Sequence, residues 1–348
     1  MPRLVGLLLM LLALASCGPA DEGRDDEGRD DEADPETTEH GDGGQVGEGR
    51  GAYPLTGQPV DDAAALERPP LAVKIDNLAP ARPQSGVEDA DVVVVEPVEG
   101  ATRLIALFHS RDPGEIGPVR SGRLLDADLL PPLQPVYAMS GAHGPVEEEL
   151  RAALPVVISE GQSEGWRRSD ERAAPHNLYV DTAGLWAAGD ELPPASTAWT
   201  FADAPAGGSA TASARITYPQ AGSSGWVWSD EAERWLRLQD GGEHTATSGA
   251  RLGGETVVVL EIAVTDDERL PIDLIGRGSA TVLRDGRAFE ASWQKASRDG
   301  HLEVLTPEGA AFPLAPGQSW IELLPASGEL SLEPAAAEDD AAPEGDGG

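Results

Sequence analysis

Between positions 71 and 108 the chain carries three apolar runs, residues 71–75, 92–95 and 104–108, each too short for a helix and each closed by a polar loop. Short β-branched and apolar runs bounded by Pro and Gly read as buried strands. In the third run both alternating phases are apolar, Leu104, Ala106 and Phe108 on one and Ile105 and Leu107 on the other. Such a strand is expected in the middle of a sheet, covered on both faces. Gly100 stands in a tight turn between the second and third runs, which predicts an antiparallel hairpin.

The rest of the first folded segment, residues 53–192, alternates helices and strands. A short helix is expected over 61–68, stopped by Pro69-Pro70, and another over 121–130, capped by Ser121 and stopped by Pro131-Pro132. A strand follows at 136–140. A helix then opens at Pro145, with Glu147, Glu148 and Glu149 in the first turn where the dipole favours anions. A strand at 156–159 and a helix over 182–189 with a Thr182 cap complete an N-terminal α/β domain with a mixed sheet.

Residues 193–214, rich in Pro, Ala, Gly and Ser, read as a linker. Beyond it the pattern changes to about seven short strands over 215–327, with Asp285-Gly286 as the strongest hairpin signal. The fold class expected is therefore mixed α+β, the second domain β-rich and built as a small barrel or sandwich. Five of the eight tryptophans fall in it. They form either a carbohydrate-stacking face or, at alternating strand positions, the core.

The two ends read differently. Arg3 followed by an apolar stretch from Leu4 to Ala15 is a signal-peptide pattern, and Leu14-Ala15-Ser16-Cys17 matches a lipobox, whose cysteine is diacylated. Two acyl chains hold a protein to a bilayer where one gives marginal binding. Residues 1–17 are thus expected to be a lipoprotein leader with Cys17 as the lipidated residue, placing the protein at the outer face of a cell membrane. Residues 18–52 contain the repeat DEGRD-DEGRD and almost no branched apolar side chains, so they read as a disordered tether. Residues 328–348 read as an acidic disordered tail. The net charge of −36 excludes a nucleic-acid partner, since duplex binding needs a basic face. With Cys17 as the single cysteine there is no disulfide framework and no cysteine-based zinc cluster.

Against that acidity, Arg103, Arg111, Arg120 and Arg123 face only Asp112 and Glu115 in the same stretch. Arginine's planar fork suits carboxylate or phosphate recognition, and a helix opening at Ser121 would add its N-terminus. The alternative is that these arginines pair with Asp76, Glu96, Glu99 or Asp126 and hold loops together. Lys74, Asp76 and Asn77 on the first run, His109 on the third, and His176-Asn177 after Pro175 complete the candidate ligand-binding set. His176 suits a general base near neutral pH or a hydrogen-bonded loop histidine. No spacing supports a metal site, a nucleophile elbow, a Walker loop or a dinucleotide fingerprint, so no metal and no cofactor is expected.

PLAVKIDN, ARPQSG, EGATR, FHSRDPGEIGPVRSGR and APHNLY, in that order, resemble the YerB-like family of bacterial lipoproteins, a family of unknown function. The resemblance covers roughly residues 53–325. It implies an extracytoplasmic lipoprotein with an N-terminal α/β domain and a C-terminal β-rich domain, and it implies no reaction. The expected function is binding of an anionic envelope component or an envelope protein at the arginine-rich loops. The alternative is a hydrolase or transferase acting on a wall glycan or peptide, with Asp76, Glu96 and His176 as the catalytic candidates.

Overall fold

Strands that are apolar on both phases must be covered twice, and this requirement sets the architecture. The computed structural model describes residues 51–196, 199–265 and 272–336. The leader with Cys17, the tether up to residue 50 and the tail from residue 337 lie outside the described residues. The first segment supplies β1 (Leu71–Asp76), β2 (Val92–Val98), β3 (Ala101–Phe108), β4 (Glu115–Ile116), β5 (Val136–Met139), β6 (Val156–Ser159), β7 (Trp166–Arg168) and β8 (Leu178–Asp181). It also supplies α1 (Asp126–Leu129), α2 (Gly144–Ala153) and α3 (Thr182–Ala187). The second supplies β9 (Ser209–Tyr218), β10 (Gly222–Ser229), β11 (Arg234–Gln239), β12 (Gly242–Glu243), β13 (Gly253–Gly254) and β14 (Thr256–Val264). The chain continues with β15 (Ile272–Asp273), β16 (Gly276–Arg284), β17 (Arg287–Lys295), β18 (Glu303–Leu305), β19 (Ser319–Pro325) and β20 (Glu329–Pro334).

One mixed sheet runs in the order β6–β5–β1–β3–β2–β19–β14–β16–β17. The hairpin expected at Gly100 is present, with Val98 opposite Ala101 and Gly100 at φ 68°, a conformation that glycine adopts without a Cβ clash. Asp285 at φ 50° and Gly286 at φ 67° close the β16–β17 hairpin in the same way. β3 is central, flanked by β1 and β2, as its two apolar phases require. β19 enters between β2 and β14, parallel to both, so the two segments contribute strands to a single sheet.

Alternate residues of these strands divide between two cores. Ala72, Val92, Val94, Ile105, Leu107, Val258, Leu260, Ile321 and Leu323 face Leu125, Leu129, Leu130 and Leu150 together with Phe289 and Phe312. Val73, Ile75, Val93, Val95, Leu104, Phe108, Val257, Val259 and Trp320 face Ile216, Tyr218, Trp226 and Trp235. The second face is covered by another antiparallel sheet, β20–β9–β10–β11, in which β9 also touches β17 through Ala210 and Arg287. The strands do not close into a barrel. The protein is mostly β, built on a large mixed sheet. Trp226, Trp235 and Trp320 are fully buried, and Trp226 packs edge-on against Trp320 at 5.3 Å. These tryptophans are core, not a stacking face.

Four expectations need correction. The backbone at residue 120 is held extended, its N–H donating to the Lys74 carbonyl at 2.8 Å and its carbonyl accepting from Ser140 at 2.9 Å. A helix therefore cannot begin at Ser121, and α1 starts only at Asp126 with no side-chain cap. α3 is capped by Asp181, which accepts from the Ala183 N–H at 2.8 Å, while the Thr182 hydroxyl donates to Asp112 at 2.6 Å. Residues 209–214 are not linker but the first half of β9, where partners on both edges outweigh the weak strand preference of Ala and Ser. Residues 329–334 are not tail but β20, with Leu330 opposite Ile216.

Strand β20 covers the β9 edge and its backbone donors. A chain ended at Ser327 is expected to lose on the order of 2 kcal/mol, lowering its thermal midpoint by roughly 4–8 °C relative to a chain ended at Ala336. Equal midpoints by calorimetry would show that β20 adds nothing.

Candidate functional site

The C-terminal end of β1 collects the candidate residues because of what its neighbours place opposite it. Arg103, near the start of β3, is opposite Asp76 on one side and Glu96 on the other. Residues 117–120 run alongside β1, with the Asp76 N–H donating to the Pro118 carbonyl at 2.9 Å and the Val119 N–H to Leu178 at 2.6 Å. This delivers Arg120 to Asp76 and ties both to β8.

Two layers result. In the lower one Lys74 is fully buried, and its ammonium donates to Asp126 at 2.6 Å and to Glu96. Asp126 also accepts from the Tyr137 hydroxyl and, at 2.9 Å, from the Arg123 N–H. Two buried carboxylates share one ammonium, so the layer carries an excess of negative charge. Burial pushes the Glu96 carboxyl up to about 7, against the pull of Lys74 and helped by the like charge of Asp126. Burial likewise holds the Tyr137 phenol well above its ordinary value.

The upper layer reaches solvent. Asp76 is 1% exposed, and its Oδ2 lies 2.7 Å from His176 Nδ1 and 3.0 Å from Arg120 Nε. A carboxylate on Nδ1 places the proton there and leaves Nε2 as the acceptor of a neutral ring. His176 and Arg120 are about a fifth exposed, at 17% and 21%. Arg103 donates to the Ser121 carbonyl at 2.6 Å, and Arg123 donates to Glu99 at 2.8 Å. Burial holds the Arg103 guanidinium below its ordinary value, Arg123 and Arg120 press the same way, and Glu96 and Asp76 oppose them. Three guanidinium groups thus share one edge, next to the His176 imidazole.

Asp76, Arg103, Arg120, Ser121, Arg123 and His176 are brought to this edge. Lys74, Glu96 and Asn77 stand beneath the surface, each engaged by buried partners. Asn177 is fastened in its own loop, accepting from Arg168 at 2.9 Å and donating to the Ser169 carbonyl at 2.9 Å. His109 belongs elsewhere. β1 and β3 are antiparallel, so Phe108 lies opposite Leu71 and His109 follows at the far end of the sheet from Asp76. Its neighbour Ser110 lines a small polar cavity of about 60 Å³ there. The paired reading of the arginines holds for Arg120 with Asp76 and Arg123 with Glu99, whereas Glu96 and Asp126 go to Lys74. Sequence reading missed Tyr137 and Gln84. A lysine at the centre of an apolar strand demands buried partners, which was the available signal for Tyr137; Gln84 lies in the ARPQSG motif, and nothing there marked it as a contact of Asp76. Among the described residues, no three His, Cys, Asp or Glu side chains gather as metal ligands.

Lys74→Met leaves Glu96 and Asp126 without their ammonium and is expected to cost roughly 3–5 kcal/mol in urea unfolding. Adding Glu96→Gln and Asp126→Asn should recover most of that loss. No recovery would mean that Lys74 acts through packing alone.

His109 supplies a pH test. Its buried ring packs edge-on to Tyr53 at 6.2 Å, and neither ring nitrogen has a hydrogen-bond partner among the described residues. Burial pushes its pKa down to about 4 from 6.5, with Arg68 pressing the same way. The unfolded chain takes up this proton first, so the contribution is full above pH 6.5 and is lost as pH falls to 4, about 3 kcal/mol in all. Glu96, raised from 4.5 to about 7, slopes oppositely between those values. Comparison of the wild type with His109→Leu isolates the histidine: the variant should gain relative stability as pH drops from 6.5 to 4 in chemical denaturation.

The two models of the family described as protein of unknown function DUF3048 match this chain, the N-terminal domain over residues 55–195 and the C-terminal domain over residues 214–321. A curated relative from Bacillus subtilis (strain 168), named "Putative lipoprotein YerB", is 27% identical over 288 residues, covering 78% of this chain and 86% of the relative. The crystal structure of the YerB protein from Bacillus subtilis superposes with a TM-score of 0.70 at 23% identity, covering 80% of this chain and 99% of that one, which shows a shared fold. With both family models matched in order along the strands described above, the chain belongs to the DUF3048 family.

Proposed function

We propose that the protein is a lipoprotein anchored at the outer face of a cell membrane through Cys17, and that it binds an anionic component of the cell envelope. The binding surface is the edge formed by Arg103, Arg120, Arg123 and His176. The leader with its lipobox and the relative named as a lipoprotein support the anchor. The observation that carries the binding reading is the convergence of three guanidinium groups on one edge of a chain whose net charge is −36. Arg120 and Arg123 each have one carboxylate, Asp76 and Glu99, while Arg103 donates to the Ser121 carbonyl, so three guanidinium groups face two carboxylates and an incoming carboxylate or phosphate supplies a third. The sequence of residues 18–52 is strongly acidic, which disfavours anionic lipid as the ligand and favours one in solution or on the wall.

Cys17→Ser is expected to move the protein from the membrane to the soluble fraction on cell fractionation. Retention of the variant in washed membranes would remove the lipid anchor from the reading. For the ligand, the detergent-solubilised full chain is incubated with digested envelope glycans and peptides, and retained species are identified by mass spectrometry. Arg120→Ala should weaken retention about tenfold. Arg111→Ala, at an exposed arginine paired with Asp89 at 3.8 Å away from this edge, should leave it unchanged. No retained species, or equal loss in both variants, overturns the binding reading.

One observation favours a second reading, a hydrolase or transferase acting on a wall glycan or peptide. The 2.7 Å contact between Asp76 and His176 orients an imidazole as a general base is oriented. New fragments that disappear with His176→Gln, while retention survives, would select it.

A further inference from the structure

The loop that carries Asp76 is fastened from below by side chains of the second segment. Arg237, fully buried, donates through Nη1 to His244 Nδ1 at 2.7 Å and to Gln239 Oε1 at 2.7 Å. A guanidinium only donates, so Nδ1 must accept and the ring proton sits on Nε2. That proton goes to Gln84 Oε1 at 2.9 Å. The Gln84 amide is thereby oriented, and its Nε2 donates to the Asp76 carbonyl at 3.0 Å and to Asn77 Oδ1 at 3.1 Å. Asn77 in turn donates to Gln239 Oε1 at 3.0 Å and to Thr102 at 2.8 Å. The ring closes on the guanidinium from which it started. Every member is buried.

We propose that Gln84 and His244 are positioning residues for the Asp76–His176 pair, through which the second segment orders the anion-binding edge of the first. The proposal rests on the reading of that edge as the binding surface. Asp76 is held at four points: its N–H by Pro118, its carbonyl by Gln84, Oδ1 by the Leu78 N–H at 3.1 Å, and Oδ2 by His176 and Arg120. Of these clamps only Gln84 is set by the second segment, through His244. Burial keeps His244 neutral, holding its pKa down to about 2, with Arg237, Arg82 and Arg251 pressing the same way. The ring therefore keeps one arrangement across the physiological range. Both Nη atoms of Arg237 are engaged, Nη2 by Ser224 at 2.7 Å, while its Nε has no hydrogen-bond partner among the described residues, and the remaining bonds of the ring favour a single geometry.

The test compares His244→Leu, which breaks both bonds, with His244→Gln, whose amide oxygen can accept from Arg237 and whose NH₂ can donate to Gln84. The full chain in detergent micelles, labelled with ¹⁵N-histidine, is read for the Nδ1–H resonance of His176, assigned by its loss in His176→Gln. Affinity for inorganic phosphate and for acetate, as probes, is read by calorimetry. His244→Leu should abolish the slow-exchanging His176 resonance and weaken probe binding about tenfold, and His244→Gln should restore both. Val258→Ala, a core truncation away from the ring, should lower the thermal midpoint and leave the resonance in place. If His244→Leu does not fold, Gln84→Met is read in the same way. An unchanged His176 resonance in the folded variant overturns the proposal, whatever the midpoint. A wild type that binds neither probe but loses the resonance in His244→Leu overturns the anion reading alone.

Discussion

The parallel pairing of β19 with β2 on one side and β14 on the other is the constraint on which the rest of the structure depends. Without it the hairpin β2–β3 has an open edge and the two cores are each cut in half. With it, Ile321 and Leu323 face one core while Trp320 and Leu324 face the other. The strand is almost wholly apolar apart from Glu322, which accepts from the Tyr218 hydroxyl and from the Trp226 ring N–H at 3.0 Å. Arg237, which fixes the ring beneath Asp76, lies 3.8 Å from the same Glu322. The central strand, the tryptophan core and the candidate site are therefore one connected arrangement.

Much of the strand content was legible because the signals were local. Gly100 and Asp285-Gly286 announced their hairpins, and the doubled apolar phase of β3 announced its central place. The helix starts were read less well. Ser121 has the chemistry of a cap, yet a backbone held between β1 and β5 leaves it no helix to cap, and such tethering is invisible to propensity. Small residues over 209–214 looked like linker because strand preference is weak in Ala and Ser, and only pairing on both edges makes a strand of them. The same holds for β20, whose few apolar residues matter because β9 is there to receive them.

The candidate site divides along a similar line. Charged residues clustered in sequence, such as Arg120 and Arg123, did come together with Asp76 and His176. Residues that serve the site from below did not declare themselves. Gln84 and His244 are 160 positions apart, and their contact follows from how the second sheet packs over the first. His109 shows the opposite error: a histidine ending a strand next to a promising loop is carried to the far end of the sheet by the antiparallel turn of the chain.

The same central strand has a consequence for the order of events in folding. Val92 pairs with Ser319, so the sheet joins residues separated by most of the described chain. Loop closure over such a distance is slow and precedes the contacts that reward it. A growing or threading chain has no way to complete either core until its last strands have arrived. The first segment must remain incomplete, with the β2 edge open, for most of that time. Folding in this architecture is thus a late event, governed by delivery of β19 and β20 rather than by the order in which the earlier elements form.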